Sequence, residues 1–204
     1  MKKFITVISM QPSDKFNAVH YSAQEGDTLL ANDIKTHYPI LIAIRNTAAK
    51  DEKIAVNIVV TDNCEYVSEN KDTFMEELNA ARDEIGFEYE LKEIHTSMKE
   101  TSDKHLELFE DIIKSIEKDD EIYTDVSYGE KPTPMVMMMV LNYAYDLCEN
   151  TDIKAVIYGA KNHATGTTEV YDVTSLFYMN SVIQKLSSIK PADPLGFIRN
   201  VLDA

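Results

Sequence analysis

Asp125-Val126-Ser127-Tyr128-Gly129-Glu130-Lys131-Pro132-Thr133-Pro134, followed by the apolar run Met135-Val136-Met137-Met138-Met139-Val140-Leu141, is the stretch on which the fold turns. A strand over Glu121–Ser127 runs into a Ser/Gly turn, and a helix over Pro134–Cys148 follows. Thr133 reads as the helix N-cap and Pro134 as a first-turn proline, because the early helical N–H groups lack intrahelical acceptors. A buried strand feeding directly into a helix is the unit of a parallel sheet with helices on its faces.

The same alternation continues in both directions. Upstream, Phe4–Ser9 is an apolar, β-branched run, and Ile54–Thr61 is dense in Ile and Val, as a strand buried on both faces should be. Tyr38–Ala49 carries Ile40, Leu41, Ile44 and Ala48 at helical spacing behind Pro39. Phe74, Leu78, Ala81 and Ile85 form an amphipathic helix stopped by Gly86. Phe87–Ile94 alternates like a strand. Leu106, Phe109, Ile112, Ile113 and Ile116 form another helical stripe, capped by Thr101 or Ser102. Downstream come strands at Ile153–Tyr158 and Thr168–Val173 and a helix at Ser175–Ser188. The expected fold is therefore α/β: a Rossmann-like, mainly parallel sheet with helices on both faces. Phe16–Ala31, short alternating pieces around Gln24-Glu25-Gly26-Asp27, predicts a small β-hairpin insertion near the N-terminus. Residues 1–190 form the domain. Residues 191–204 form a tail broken by Pro191 and Pro194, a linker or dimer contact ending in the apolar turn Leu195–Leu202.

Charge narrows the function. The net charge of −15 over 204 residues repels long polyanions, whose binding depends on phosphate neutralisation by Lys and Arg, so DNA is not an expected partner. A small anionic ligand remains compatible, because a few amides and one or two lysines can hold it locally. No apolar stretch reaches the ~20 residues of a membrane span, so no membrane partner is expected either. Cys64 and Cys148 lie far apart without metal spacing and fit reduced thiols of a cytoplasmic protein. The acidic face Glu107, Glu110, Asp111, Glu117 reads as solvated, the methionine run as core, and the five histidines as structural or surface. Neither a metal nor a cofactor is expected, and Met10-Gln11-Pro12 offers no dinucleotide glycine turn.

The turn at Gly129 has the makings of an anion site. Gly129 permits close approach to the backbone, Ser127 and Tyr128 bring hydroxyls, Lys131 brings a countercharge, and the helix N-terminus presents open amides. Ligands of open parallel sheets bind beyond the carboxyl ends of the strands. Spacing alone leaves an ordinary strand-to-helix connection equally open, since the pattern is neither a phosphate-binding Walker loop nor a dinucleotide fingerprint.

Asp125–Pro134 resembles the Asp-x-Thr-His-Gly-x-Arg signature of the CARF family, the CRISPR-associated Rossmann-fold proteins. Val156-Ile157-Tyr158-Gly159-Ala160 looks like that family's next strand, and Val170-Tyr171-Asp172-Val173-Thr174 like the strand and turn after it. With Phe4–Ser9 and Ile54–Thr61 the likeness covers most of residues 1–190. Ser127 stands for threonine, Tyr128 for histidine and Lys131 for arginine, which keeps a hydroxyl, a ring and a charge but loses bidentate phosphate geometry. The resemblance implies a homodimer that binds cyclic oligoadenylate (cyclic tetra- or hexa-adenylate), the second messenger of type III CRISPR antiviral defence, between two copies of this loop. It implies contacts from Ser127, Gly129, Lys131 and Thr133, and from Ser9, Met10 and Gln11 after the first strand. Thr61, Asp62, Asn63, Lys161 and Asn162 are further candidates, with a turn as their alternative.

Two activities follow from the resemblance. In one the chain is a sensor acting on a fused or separate effector. In the other it is a metal-independent ring nuclease, in which the ligand's own 2′-hydroxyl attacks the adjacent phosphate and Ser127 and Lys131 are the catalytic candidates. The Arg-x-x-x-x-His pair of HEPN ribonucleases does not occur: Lys50 and Phe87 stand five places after Arg45 and Arg82, and Arg199 lies too near the end.

Overall fold

The computed structural model describes residues 1–202 apart from His163 and Lys190, and leaves out the side chains of Ser187, Ser188, Asn200, Val201 and Leu202. Parallel strands β1 (Lys2–Val7), β3 (Lys53–Asp62), β4 (Glu88–Ser97), β5 (Glu121–Asp125) and β6 (Asp152–Lys161) alternate with α1 (Ile40–Thr47), α2 (Val67–Ile85), α3 (Ser102–Ile113) and α4 (Pro132–Leu147). β7 (Thr168–Asp172) returns antiparallel to β6, a two-residue β2 (Ser22–Ala23) pairs parallel with β7, and α5 (Thr174–Ile189) and α6 (Pro194–Leu202) close the chain. The sheet order is β2-β7-β6-β5-β1-β3-β4. The chain steps from β1 out to β3 and β4, then crosses back to lay β5 on the other side of β1. The direction of winding thus reverses between β1 and β5, where such folds take ligands.

Strand periodicity builds both layers. Phe4 and Ile8 point to one side, where they join Val56, Ile58 and Val60 and the buried faces of α1 and α2. Ile5 and Val7 point to the other, where Val59, Ile122, Ile153 and Val156 meet α3, α4 and α5. A strand buried on both faces has no solvent side to show, which explains the near-continuous apolar runs, interrupted by the buried Thr6 and Asn57. Full burial of each such side chain contributes about 1.5–3 kcal/mol. Gly86 ends α2 in the left-handed region (φ +87), and its amide closes on the Arg82 carbonyl at 2.7 Å.

The strand and helix expectations hold in order and type, with shifts at the ends. β5 stops at Asp125, β4 runs on to Ser97 and β6 to Lys161. Thr101 is extended at the N-cap of α3, but its side chain makes no capping bond. The hairpin near the N-terminus does not form. The turn at Gly26 is made (Asp27 N to Gln24 O, 3.1 Å), but the Asp27 carboxylate takes the amides of Leu29 and Leu30, both at 2.9 Å. The chain is thereby turned away from Ser22–Ala23, which pairs instead with Glu169–Val170 of β7. Residues 8–39 form a long excursion across the strand ends, pinned by a bridge between Val19 and Thr36 and by Thr168 Oγ1 donating to the His20 carbonyl at 2.7 Å. No helix among the described residues is long and apolar enough to cross a membrane.

Candidate functional site

A cleft of about 580 Å³ opens where the winding reverses. The excursion supplies one wall (Gln11, Asp14, Lys15, Phe16, Asn17, Val19, Tyr21). Ser127 and Tyr128 supply another, and Gly159, Ala160 and Lys161 at the end of β6 close it with Thr168.

Beneath the cleft, Asp125 organises the turn. It is fully buried, and it accepts the Ser127 amide (2.8 Å), the Ser127 hydroxyl and the Thr6 hydroxyl (3.3 Å). Desolvation outweighs these bonds and pushes its pKa up to about 6. The Ser127 Oγ that donates to Asp125 also accepts the Gly159 amide at 2.7 Å, so it ties the β5–α4 loop to β6 and has no proton free for nucleophilic work. At Gly159 a Cβ would stand 2.5 Å from Pro39 Cγ and 3.0 Å from the Tyr21 ring, so only glycine lets β6 pass under α1. Tyr128 is turned inward. Its hydroxyl donates to the His37 carbonyl (2.7 Å) and meets that of Tyr21 at 3.3 Å, and its ring packs edge-on to Phe16 and Tyr38 at 5.7 and 5.5 Å. Burial first, then the neighbouring Tyr21 and Asp125, push its phenol far above the ordinary tyrosine range. It is a floor of the cleft and keeps its proton.

The helix entry differs from expectation. Lys131, with helical φ −51, is the N-cap of α4 and Pro132 opens the helix, because two prolines in the first turn cost no hydrogen bond where donors are orphaned. Thr133 therefore lies inside the helix, buried, its methyl and Cβ against Gly129, and it caps nothing. Gly129 has φ +101, where its lack of a Cβ is needed. Among the described residues the amides of Gly129, Glu130 and Lys131 find no acceptor. Lys131 is exposed and lies outside the cleft.

The remaining candidates divide. Ser9 is buried, its Oγ accepting the Gln11 amide (3.2 Å), and Met10 packs on the core. Only Gln11 of that triplet lines the cleft. Asn70 of α2 holds it there by donating to the carbonyls of Ser9 (2.7 Å) and Gln11 (2.9 Å). Thr61, Asp62 and Asn63 end β3, on the far side of β1 from β5. Thr61 is buried, and Asp62 pairs with His95 at 2.8 Å in a separate small recess. Asn162 shapes the β6–β7 turn by accepting the Ala164 amide at 2.9 Å. Thus Gln11, Ser127, Tyr128 and Lys161 are brought together, and the others are not.

No family model matches the sequence, and neither does any curated protein.

Sequence reasoning missed Lys15, Asn17 and Tyr21. The signal available was the long polar connection after the first strand, at the edge where ligands of such sheets bind. Among the described residues the ammonium groups of Lys15 and Lys161 meet no carboxylate, and Asp14 is the one acid lining the cleft. Elsewhere the lysines are mostly consumed: Lys104 by Glu107, Lys114 by Glu110 and Asp111, Lys3 by the buried Asp120 at 2.5 Å. Of the histidines, His20, His37, His95 and His105 are each bonded to the chain's own oxygens; His163 lies outside the described residues.

Proposed function

We propose that the cleft at the β1/β5 reversal binds a small nucleotide messenger, cyclic oligoadenylate, and that the chain is the sensor of a type III CRISPR response in the cytoplasm. The observation that carries this reading is local charge. On a molecule of net charge −15, two lysines without carboxylate partners face one another's cleft wall at the sheet edge where α/β folds take ligands. Open amides at Gly129–Lys131 add donors at the rim, and the carboxamides of Gln11 and Asn17 have the donor–acceptor pair that matches the N6/N7 edge of adenine.

Sensing is favoured over ring cleavage by the commitments of the hydroxyls. Ser127 Oγ is bonded on both sides, Tyr128 is held protonated, and Asp125 is sealed below, so these three groups are committed to the fold and, among the described residues, Asp14 is the one acid left facing the cleft. Titration calorimetry with cyclic tetra- and hexa-adenylate, followed by chromatography of the recovered ligand, tests both halves. Binding with the ring returned intact is expected. Absence of heat with either ring overturns the ligand assignment, and linear products overturn the sensor role in favour of the nuclease.

A further inference from the structure

On the side of the sheet that carries α3, in-register rows cross β1, β3 and β4: Lys3–Ala55–Glu90, then Ile5–Asn57–Lys92, then Val7–Val59–Ile94. Residues two apart along a strand share a face, so the three rows lie on one side. Leu108 and Ile112 of α3 pack with the third row. The helix ends at Ile113, and the first two rows run on beyond it. They floor a groove of about 590 Å³ at the N-terminal ends of the strands, opposite the cleft, with Ser115 and Glu117 of the α3–β5 connection as its other wall.

Two buried polar side chains line this groove with bonding capacity left over. Asn57, 2 % exposed, is the one polar residue between Ile54 and Val60. Its Nδ2 donates to Ser115 Oγ at 2.7 Å, and that hydroxyl gives its proton to the Ile112 carbonyl at 2.5 Å. Ser115 Oγ must therefore accept from the amide, which leaves Asn57 Oδ1 as the acceptor turned elsewhere. Among the described residues that oxygen accepts no hydrogen bond. Lys3, 3 % exposed, donates to the Ser115 carbonyl and to Asp120 Oδ2 (2.5 Å). An ammonium has three donors, and the third meets no acceptor among the described residues. A buried donor and a buried acceptor left unmade are both destabilising, and beside a groove they point to a ligand. The rim repeats the pattern in charge. Glu90 is paired with Lys53, and Lys114 with Glu110 and Asp111. Lys92 and Glu117 are exposed, and neither is in an ion pair among the described residues.

We infer that this groove binds a free α-amino acid as its zwitterion, the carboxylate held by Lys92 and the third N–H of Lys3, the ammonium by Asn57 Oδ1 and Glu117. Neighbouring strands run about 4.8 Å apart, so the register partners Asn57 and Lys92 suit charges carried on one α-carbon. A pure anion would meet Glu90 and Glu117, and a pure cation would meet Lys3 and Lys92; a molecule of both signs satisfies all of them. The volume lies within the roughly 300–1,000 Å³ of small-molecule sites, and Ala55, the small residue of the first row, leaves room for the ligand's side chain. The groove shares no lining residue with the cleft, so this reading stands or falls apart from the nucleotide one.

Saturation-transfer NMR of the full chain with each standard L-amino acid at millimolar concentration, followed by titration calorimetry with the best of them, tests the assignment. At least one should bind. Its N-acetyl and methyl-ester derivatives, each lacking one charge, should bind about tenfold more weakly, as should the amino acid itself to Lys92→Gln and to Glu117→Gln, since each change removes one charge-assisted hydrogen bond. Ala55→Leu, which fills the floor, should abolish binding with unchanged circular dichroism. No binding by any amino acid, unchanged affinity in either rim variant, or equal affinity for the N-acetyl and ester derivatives would overturn the proposal.

Discussion

The two loops that meet over the strand ends use their side chains in opposite ways. The short β5–α4 loop turns most of them inward: Ser127 to Asp125 and Gly159, Tyr128 to His37, Thr133 against Gly129, leaving the side chains of Glu130 and Lys131 and the backbone amides outside. The long β1–α1 excursion buries Phe16, Leu30 and Tyr38 as anchors and holds Gln11, Lys15 and Asn17 toward the cleft. A tight strand-to-helix turn needs its polar groups to satisfy itself, whereas a loop anchored elsewhere by aromatic residues can leave polar groups for a ligand.

The largest expected effect breaks the inward-facing half. The carboxyl of Asp125 titrates near 3.8 when unfolded and about 6 when folded. Between those values the native state binds the extra proton, so stability falls as pH rises through this window and is flat above it. Chemical denaturation of the wild type should lose about 2 kcal/mol from this group between pH 4 and 7. Asp125→Asn should lack that component of the slope, and identical slopes would show that Asp125 does not carry the raised pKa. Next, Ser127→Ala leaves the Gly159 amide without its acceptor and Asp125 with one donor fewer, a loss of about 1–3 kcal/mol in denaturant melts. Stability unchanged by Ser127→Ala would return that hydroxyl to the list of ligand or catalytic groups.

The smaller effects sharpen the outward-facing half. Lys15→Ala and Lys161→Ala should each weaken cyclic tetra-adenylate binding about tenfold, or 1.4 kcal/mol, while stability stays within about 0.5 kcal/mol as for most surface changes. Lys131→Ala, outside the cleft and exposed, should cost about threefold or less, the scale of a screened surface charge. A larger loss from Lys131 than from Lys161 would move the binding centre from the cleft to the rim.

The comparison also explains what was readable in advance. β3, α2 and α4 were legible because their burial is periodic and local, and the Asp125–Gly129 turn because a strand, a glycine and paired prolines fall in one short segment. The excursion was not legible as a cleft wall. Lys15 and Asn17 acquire meaning only when Phe16 inserts among His37, Tyr38 and Tyr128, a tertiary event with no periodic trace. The hairpin expectation failed for a related reason. A turn at Gly26 predicts a reversal of direction, but which strand the flanks then join was decided by β7, more than a hundred residues downstream. The cap expected at Thr133 yielded to Pro132, whose fixed φ lets the helix begin earlier.

β1 sits at the middle of the sheet, yet its partners are β3 and β5, and Lys3 finds Asp120 only across most of the chain. At a synthesis rate of roughly 5–20 residues per second, β1 waits several seconds after its own synthesis for its second neighbour. Such distant pairing slows folding, and during that interval Phe4-Ile5-Thr6-Val7-Ile8 is a β-prone segment in need of protection by chaperones or by early docking on β3.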